Sequence, residues 1–311
     1  MPDAGGTVRW FLAPDADPVP TRQGVGMAFV RVVVGLMWLY NVAWKVPPDF
    51  GRDSGSGLWK FTSYAVEHPV LPPYSWLVEH LALPTLGVFG WLVLAAETAL
   101  AVLLLTGTYV RAAALLGIAQ SLAIGLSVAY APEEWPWSYW LMIAAHVALL
   151  VGSSGRVLAV DAVRAGVARA ARLQQVWGAL AVVVGLFSVL ASAGDPLDPT
   201  GPGLRSTDPS LSLGTYNLLG GVVLVAVGVA LLLAARGMRA AALAGGGLAL
   251  AAAVLLRAQI GFTDPLLGGN GTSVAVLLCL AVVALSSTRA PTRATDAVPA
   301  ERGSLDEGRT R

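Results

Sequence analysis

Arg31, Gly35, Trp38, Asn41 and Lys45 recur at three- and four-residue spacing through an apolar run. At about 100° per residue they share one helical stripe. A guanidinium inside hydrocarbon is costly unless it faces protein or water and finds a partner. Later apolar runs supply Glu97, Gln120 and His146. At 1.5 Å per residue from the cytoplasmic end, Arg31, Glu97, His146 and Gln120 lie roughly 10, 15, 13 and 16 Å deep. One polar layer can therefore hold all four, with Arg31 close to Glu97. Two chemistries suit it. A buried carboxylate and imidazole beside a fixed cation have tunable proton affinities, so Arg31, Glu97 and His146 are candidates for catalytic proton handling or ligand binding. The same residues would equally form an Arg–Glu ion pair, hydrogen-bonded by His146 and Gln120, that fixes helix register.

A second constellation lies toward the other end of the same helices. Trp44, Trp59, Tyr64, Trp76, Trp135, Trp137, Tyr139 and Trp140 fall near one membrane face, with Lys45, Lys60, His68 and His80 among them. Trp44, Trp59 and Trp137 offer surfaces on which a quinone ring stacks, and Lys45 and Lys60 the charge that holds an anion. An interfacial aromatic belt with snorkelling lysines has the same composition. Three scattered histidines and one cysteine give no metal-ligand spacing and no disulfide. Neither a metal site nor a covalently bound cofactor is expected.

The elements that position these residues are membrane spans. The chain has 311 residues, 56% hydrophobic and 13% charged, with a mean hydropathy of +0.68. That is far from the composition of a soluble domain. A net charge of +1 gives no general attraction to nucleic acid. Apolar runs long enough for helical spans fall near Gly24–Val46, Thr85–Thr106, Tyr109–Ala131, Ser138–Gly152, Gln174–Ala193, Thr215–Ala235, Arg239–Ile260 and Thr272–Ser287. The fold class is therefore all-α, a polytopic transmembrane bundle of about eight spans.

Arg9, Arg22, Arg111, Arg156, Arg164, Arg169, Arg172, Arg236, Arg239 and the arginines after Ser287 fall on one side, against Lys45, Arg52, Lys60 and Arg205 on the other. The positive-inside rule then makes both termini cytoplasmic in a multi-pass cell-membrane protein. The first 23 residues read as a polar tail without a signal-peptide core, so the first span serves as an uncleaved anchor. Residues 24–165 form a polar-cored four-helix module, and 166–172 a basic linker. Residues 173–288 form a second, Ala/Val/Leu/Gly-rich four-helix module, and 289–311 a charged tail expected to be disordered. The stretch Arg156–Arg172 reads as an amphipathic surface helix. The long segment from Pro47 to Pro84 reads as a cap folded over the outer mouth in short helices or turns. Gly220–Gly221 and Gly245–Gly246–Gly247 read as helix contact points, and Arg257 as a snorkelling cation with Asp264 a possible partner. Outer loops Gly194–Leu197 and Thr263–Leu266 share an Asp-Pro-Leu core, a hint of a duplicated hairpin.

Three ordered stretches resemble the DoxX/DoxD family. RVVVGLMWLYNVAWKVP from Arg31 resembles its Arg, Gly and Lys-Pro pattern, and AAETALAVLLLTGTYVR resembles its intramembrane Glu followed by Gly and Arg. EEWPWSYWLMIAAHVALLVGSSGRVLAVDA resembles its Trp-Ser-Tyr, His and Gly-Arg-x-Leu-x-x-Asp-Ala ending. The resemblance stops before residue 173. It implies a four-helix membrane bundle linked to quinone-dependent oxidation of a small sulfur anion such as thiosulfate, with a second redox subunit as partner. The expected function is a subunit of, or accessory to, such a system in the lipid bilayer. A small-molecule transporter and a non-catalytic scaffold recruiting a redox partner are the alternatives.

Overall fold

The computed structural model describes residues 4–204 and 211–286. The chain is an all-α bundle whose apolar helices follow the hydropathy pattern. Ahead of the bundle lies α1 (Ala4–Leu12). The first module is α2 (Thr21–Ala43), α3 (Gly57–Glu67), α4 (Pro72–Leu77) with a π-helical turn at Val78–Ala82, α5 (Leu86–Thr106), α6 (Val110–Val128) and α7 (Trp137–Val151). A short α8 (Val160–Arg164) leads into α9 (Ala170–Ala191), α10 (Leu218–Ala234), α11 (Arg239–Gln259) and α12 (Gly271–Ser286), with a small antiparallel pair, β1 (Gly203–Leu204) and β2 (Leu211–Ser212), between α9 and α10. Five helices, α2, α5, α6, α9 and α11, are long and apolar enough to cross a membrane, while α7, α10 and α12 are apolar but shorter.

Tight turns make neighbours antiparallel. Gly107, at φ +66°, ends α5; the N–H groups of Gly107 and Thr108 return to the carbonyls of Leu104 and Leu103 (3.2 and 2.9 Å), and α6 begins at Val110. Gly237, at φ +95°, does the same work between α10 and α11.

The two modules share one core. Helix α12 is apolar on all sides and buried along nearly its whole length, packed between α11, α5, α2 and α9. Val34, Trp38, Leu100 and Leu104 of the first module therefore lie in the same cluster as Leu224, Leu256, Val276 and Leu280 of the second.

Helices α9 and α10 meet through two reciprocal glycine pairs. A Cβ on Gly185 would lie 2.8 Å from the Gly221 carbonyl, and one on Gly221 would lie 2.9 Å from the Gly185 carbonyl. Gly178 and Gly228 repeat the arrangement seven residues along each helix. Gly247, by contrast, faces open space. Gly221→Leu should therefore push α9 and α10 apart and destabilise the bundle by about 1–3 kcal/mol, while Gly247→Leu should stay within about 0.5 kcal/mol of the parent. Thermal melts of both variants in detergent check this; equal melting points would show that the glycine pairs do not set the helix approach.

Two segments differ from the sequence expectation, and the paired outer loops gain a shared anchor. Residues 4–17 dock on the bundle instead of trailing from it, because Asp15 and Asp17 meet Arg111 (3.2 and 2.5 Å) and the Arg156 guanidinium donates to the Ala16 carbonyl (3.1 Å). Arg156–Arg172 forms no continuous amphipathic helix; α8 is five residues long with Val160 to Val163 buried, since Asp161 is drawn inward by backbone N–H groups. The repeated Asp-Pro-Leu loops converge on Asn217: Leu218 N–H donates to the Pro196 carbonyl (3.1 Å), while the Asn217 N–H and side-chain amide donate to Leu267 and Leu266 carbonyls (both 3.0 Å). The charged tail after Ser287 lies outside the described residues. The 47–84 segment does cover one end of the bundle. Its α3 packs on α6, and the Tyr74 hydroxyl donates to the Ala123 carbonyl (3.0 Å).

Candidate functional site

Helix α2 carries the polar stripe across the bundle, and its residues find three separate sets of partners. At the capped end Lys45 lies just past the last turn of α2, and its side chain runs back along the helix. Its ammonium is 2.6 Å from Glu97 Oε2, donates to the Asn41 carbonyl (3.1 Å) and sits 3.6 Å from the centre of the Trp44 ring. The three donors of an ammonium thus face a carboxylate, a carbonyl and a π face. Glu97, in the middle of α5, also receives a long hydrogen bond from the Gln120 amide of α6 (3.5 Å). Both charges are almost fully buried, Lys45 at 4% and Glu97 at 1% exposure. The pair therefore sets a carboxylate against an ammonium inside the bundle, shielded from solvent.

In the centre the Trp38 indole donates to His146 Nε2 (3.0 Å), and His146 Nδ1 lies 2.7 Å from the Met142 carbonyl. An indole N–H only donates and a carbonyl only accepts, so the ring is neutral with its proton on Nδ1. The imidazole rests on Gly117, where a Cβ would lie 2.0 Å from His146 Cδ2. Both ring nitrogens are engaged, and neither faces Glu97.

Arg31 does not reach Glu97, and the expected Arg31–Glu97 pair is not formed. Helix α5 runs antiparallel to α2, which brings Arg31 level with Leu104, seven residues or about 10 Å beyond Glu97. Its guanidinium instead donates to the carbonyls of Leu104 (2.6 Å), Leu105 (3.4 Å), Val157 and Leu158 (3.1 Å each). Two of these are carbonyls of the last turn of α5, where the helix dipole favours a cation.

Among the outer aromatics, Trp44 and Trp59 pack against one small core with Val42, Phe50, Leu58, Leu86 and Leu94, and Trp44 meets Phe61 at 5.4 Å. Lys60 is exposed, its ammonium 5.9 Å from the Tyr64 ring. Trp137, in the first turn of α7, is 65% exposed and makes no ring contact with Trp44 or Trp59. Lys45, Trp44 and Trp59 are thus brought together, and Trp137 stands apart.

A further cluster escaped sequence reading. Asp161 is fully buried and accepts from the backbone N–H groups of Tyr109 (3.1 Å), Val110 (3.0 Å) and Asp15 (3.3 Å), and from Arg164 (2.7 Å). It caps α6 from fifty residues away. Asp15 accepts from Ser154 and from the Gly155 N–H (3.2 Å each) beside Arg111. Burial raises the Asp15 carboxyl above its ordinary range, against the lowering pull of Gly155 and Arg111. The only sequence signal was Asp161 within the Gly-Arg-x-Leu-x-x-Asp-Ala stretch; Asp15 had none.

No group of three or more His, Cys, Asp or Glu side chains suited to a metal ion occurs among the described residues. Comparison with family models, with curated proteins and with solved structures finds no match.

Proposed function

We propose that this chain is a multi-pass cell-membrane protein of the DoxX/DoxD type, with both termini cytoplasmic, that serves a quinone-linked redox system as a subunit or accessory. Its own contribution would be the Lys45–Glu97 pair, acting as a proton-handling group. The observation that carries this reading is the near-complete burial of that pair beside Trp44, beneath the cap built by α3 and α4. Ionisable groups at membrane depth are costly, and where they occur they commonly mark proton or substrate paths.

The chemistry sets what the residues must do. Joining two thiosulfate anions through a new S–S bond releases two electrons, and a quinone that takes them also takes two protons to become the quinol. Glu97 and Lys45 would hold and pass a proton, with the Gln120 amide as a more distant partner of the carboxylate. The flat faces of Trp44 and Trp59 would carry the quinone ring. Lys45 is already taken by Glu97, so the role of holding a sulfur anion falls to exposed Lys60. His146, committed to Trp38 and Met142, would keep helices in register and leave proton transfer to Glu97.

Membranes carrying the whole chain with its co-purifying partners should reduce a short-chain quinone when thiosulfate is added. Glu97→Gln should lower that rate at least about tenfold, the low end for loss of a positioned acid–base group. Thiosulfate-dependent rates identical with and without the chain would remove the redox reading, and solute uptake into proteoliposomes would replace it with the transporter.

A further inference from the structure

A groove of about 480 Å³ runs along the seam between the modules, lined on one side by α5, from Trp91 to Leu103, and on the other by α12, from Gly271 to Val282. Twelve residues of helix make it about 18 Å long, close to one leaflet of a hydrocarbon core about 30 Å thick. Its lining is apolar except for Thr98 and one cation, Arg257 of α11. That cation stands at the Lys45 end, its guanidinium 4.9 Å from the centre of the Trp91 ring. Among the described residues Arg257 donates to the Ile260 carbonyl (3.1 Å), and its Nε is buried and finds no partner there. Among the described residues no ion pair joins it to Asp264 or to any other carboxylate.

A membrane-facing cleft one leaflet deep, with an unmatched guanidinium at its rim, has the shape and charge of a lipid site. We propose that the groove holds an anionic phospholipid, one acyl chain lying along α5 and α12 and the phosphodiester on Arg257. The planar guanidinium presents paired donors to phosphate oxygens, and Trp91 holds its face. The exposed Ala95 leaves the cleft open sideways toward lipid. The bound chain would fill the seam between α5 and α12 and so join the two modules. This inference rests on the chain lying in a bilayer and not on the redox reading.

The test uses the whole chain in detergent, read by native mass spectrometry and thermal melting. Dioleoyl phosphatidylglycerol is compared with dioleoyl phosphatidylcholine, inorganic phosphate and a short-chain quinone. The expected result is one retained phosphatidylglycerol and a raised melting point, with Arg257→Gln weakening it about tenfold. Arg257→Lys should recover part of the preference. Ala95→Phe, which blocks the cleft and leaves the cation in place, should also remove the bound lipid. Equal retention of the two phospholipids, or an undiminished preference in both Arg257→Gln and Ala95→Phe, overturns the proposal. So does an equal shift with inorganic phosphate, which needs no tail, or displacement of the lipid by the quinone, which carries no charge.

Discussion

Lys45→Met should lower the stability of the folded bundle by about 3–5 kcal/mol, the range for leaving one member of a buried ion pair without its partner. The Glu97 carboxylate would then face only the distant Gln120 amide (3.5 Å) in a low-dielectric interior. Glu97→Leu should cost a similar amount, because the Lys45 ammonium would keep the Asn41 carbonyl and the Trp44 face but lose its counter-charge. The double change Lys45→Met with Glu97→Leu should be far milder than either alone, since apolar residues of similar volume can replace a buried pair with little loss. Melting points of the four proteins in one detergent close the cycle. Additive losses would mean that the two side chains do not interact, and the proton-handling role would fall with the pair.

This cycle also separates stability from function. If the double variant folds well yet supports no thiosulfate-dependent quinone reduction, the pair serves chemistry more than architecture. If it folds and works, the pair is a register device.

The helices were legible because hydropathy and turn chemistry act locally. The eight apolar runs, the stop at Gly107 and the short helix opening at Pro72–Pro73 all depend on residues close in sequence. The polar layer was legible as a set of residues but not as a set of pairs. Arg31 lies on the stripe of α2 and Lys45 on its continuation just past the helix end, and helical phase alone does not say which of them meets Glu97. The antiparallel stagger of α5 decides it, together with the length of a lysine side chain that folds back from the helix end. Arg31 satisfies itself on backbone carbonyls, which every residue carries and no sequence pattern marks. Asp161 caps a helix fifty residues away, so the local signature of an N-cap is missing. The groove at the seam was invisible for the same reason: α5 and α12 are far apart in the chain and meet only in the folded bundle.

Arg31→Met should produce the second large loss, about 1.5–3 kcal/mol, through a different mechanism. Arg31 is fully buried, and its guanidinium joins two places that nothing else in the stripe connects: the last turn of α5 and the strand of chain before α8. Removing it takes a charged donor from the carbonyls of Leu104, Val157 and Leu158; Leu104 keeps the Gly107 N–H, and a hydrogen bond to a charged group is worth about 1.5–3 kcal/mol. Arg31→Lys should recover only part of this, because one ammonium cannot reproduce a planar fork aimed at two pairs of carbonyls. The damage should be local. Amide exchange should quicken around residues 104–110 and 155–164, where the α5 end, the α6 cap and Asp161 share one network, and stay slow in α9 to α11. Gly107 supplies an independent check, since a Cβ there would lie 2.4 Å from the Arg31 guanidinium; Gly107→Ala should reproduce the same exchange pattern, with added strain from its positive φ. Combined with Glu97→Leu, the Arg31→Met loss should add to within about 0.5 kcal/mol, as expected for sites in separate networks. A coupling well above that would mean that Arg31 and Glu97 share one charge network, and that the cation at the α5 terminus and the pair near the capped end act as a single site.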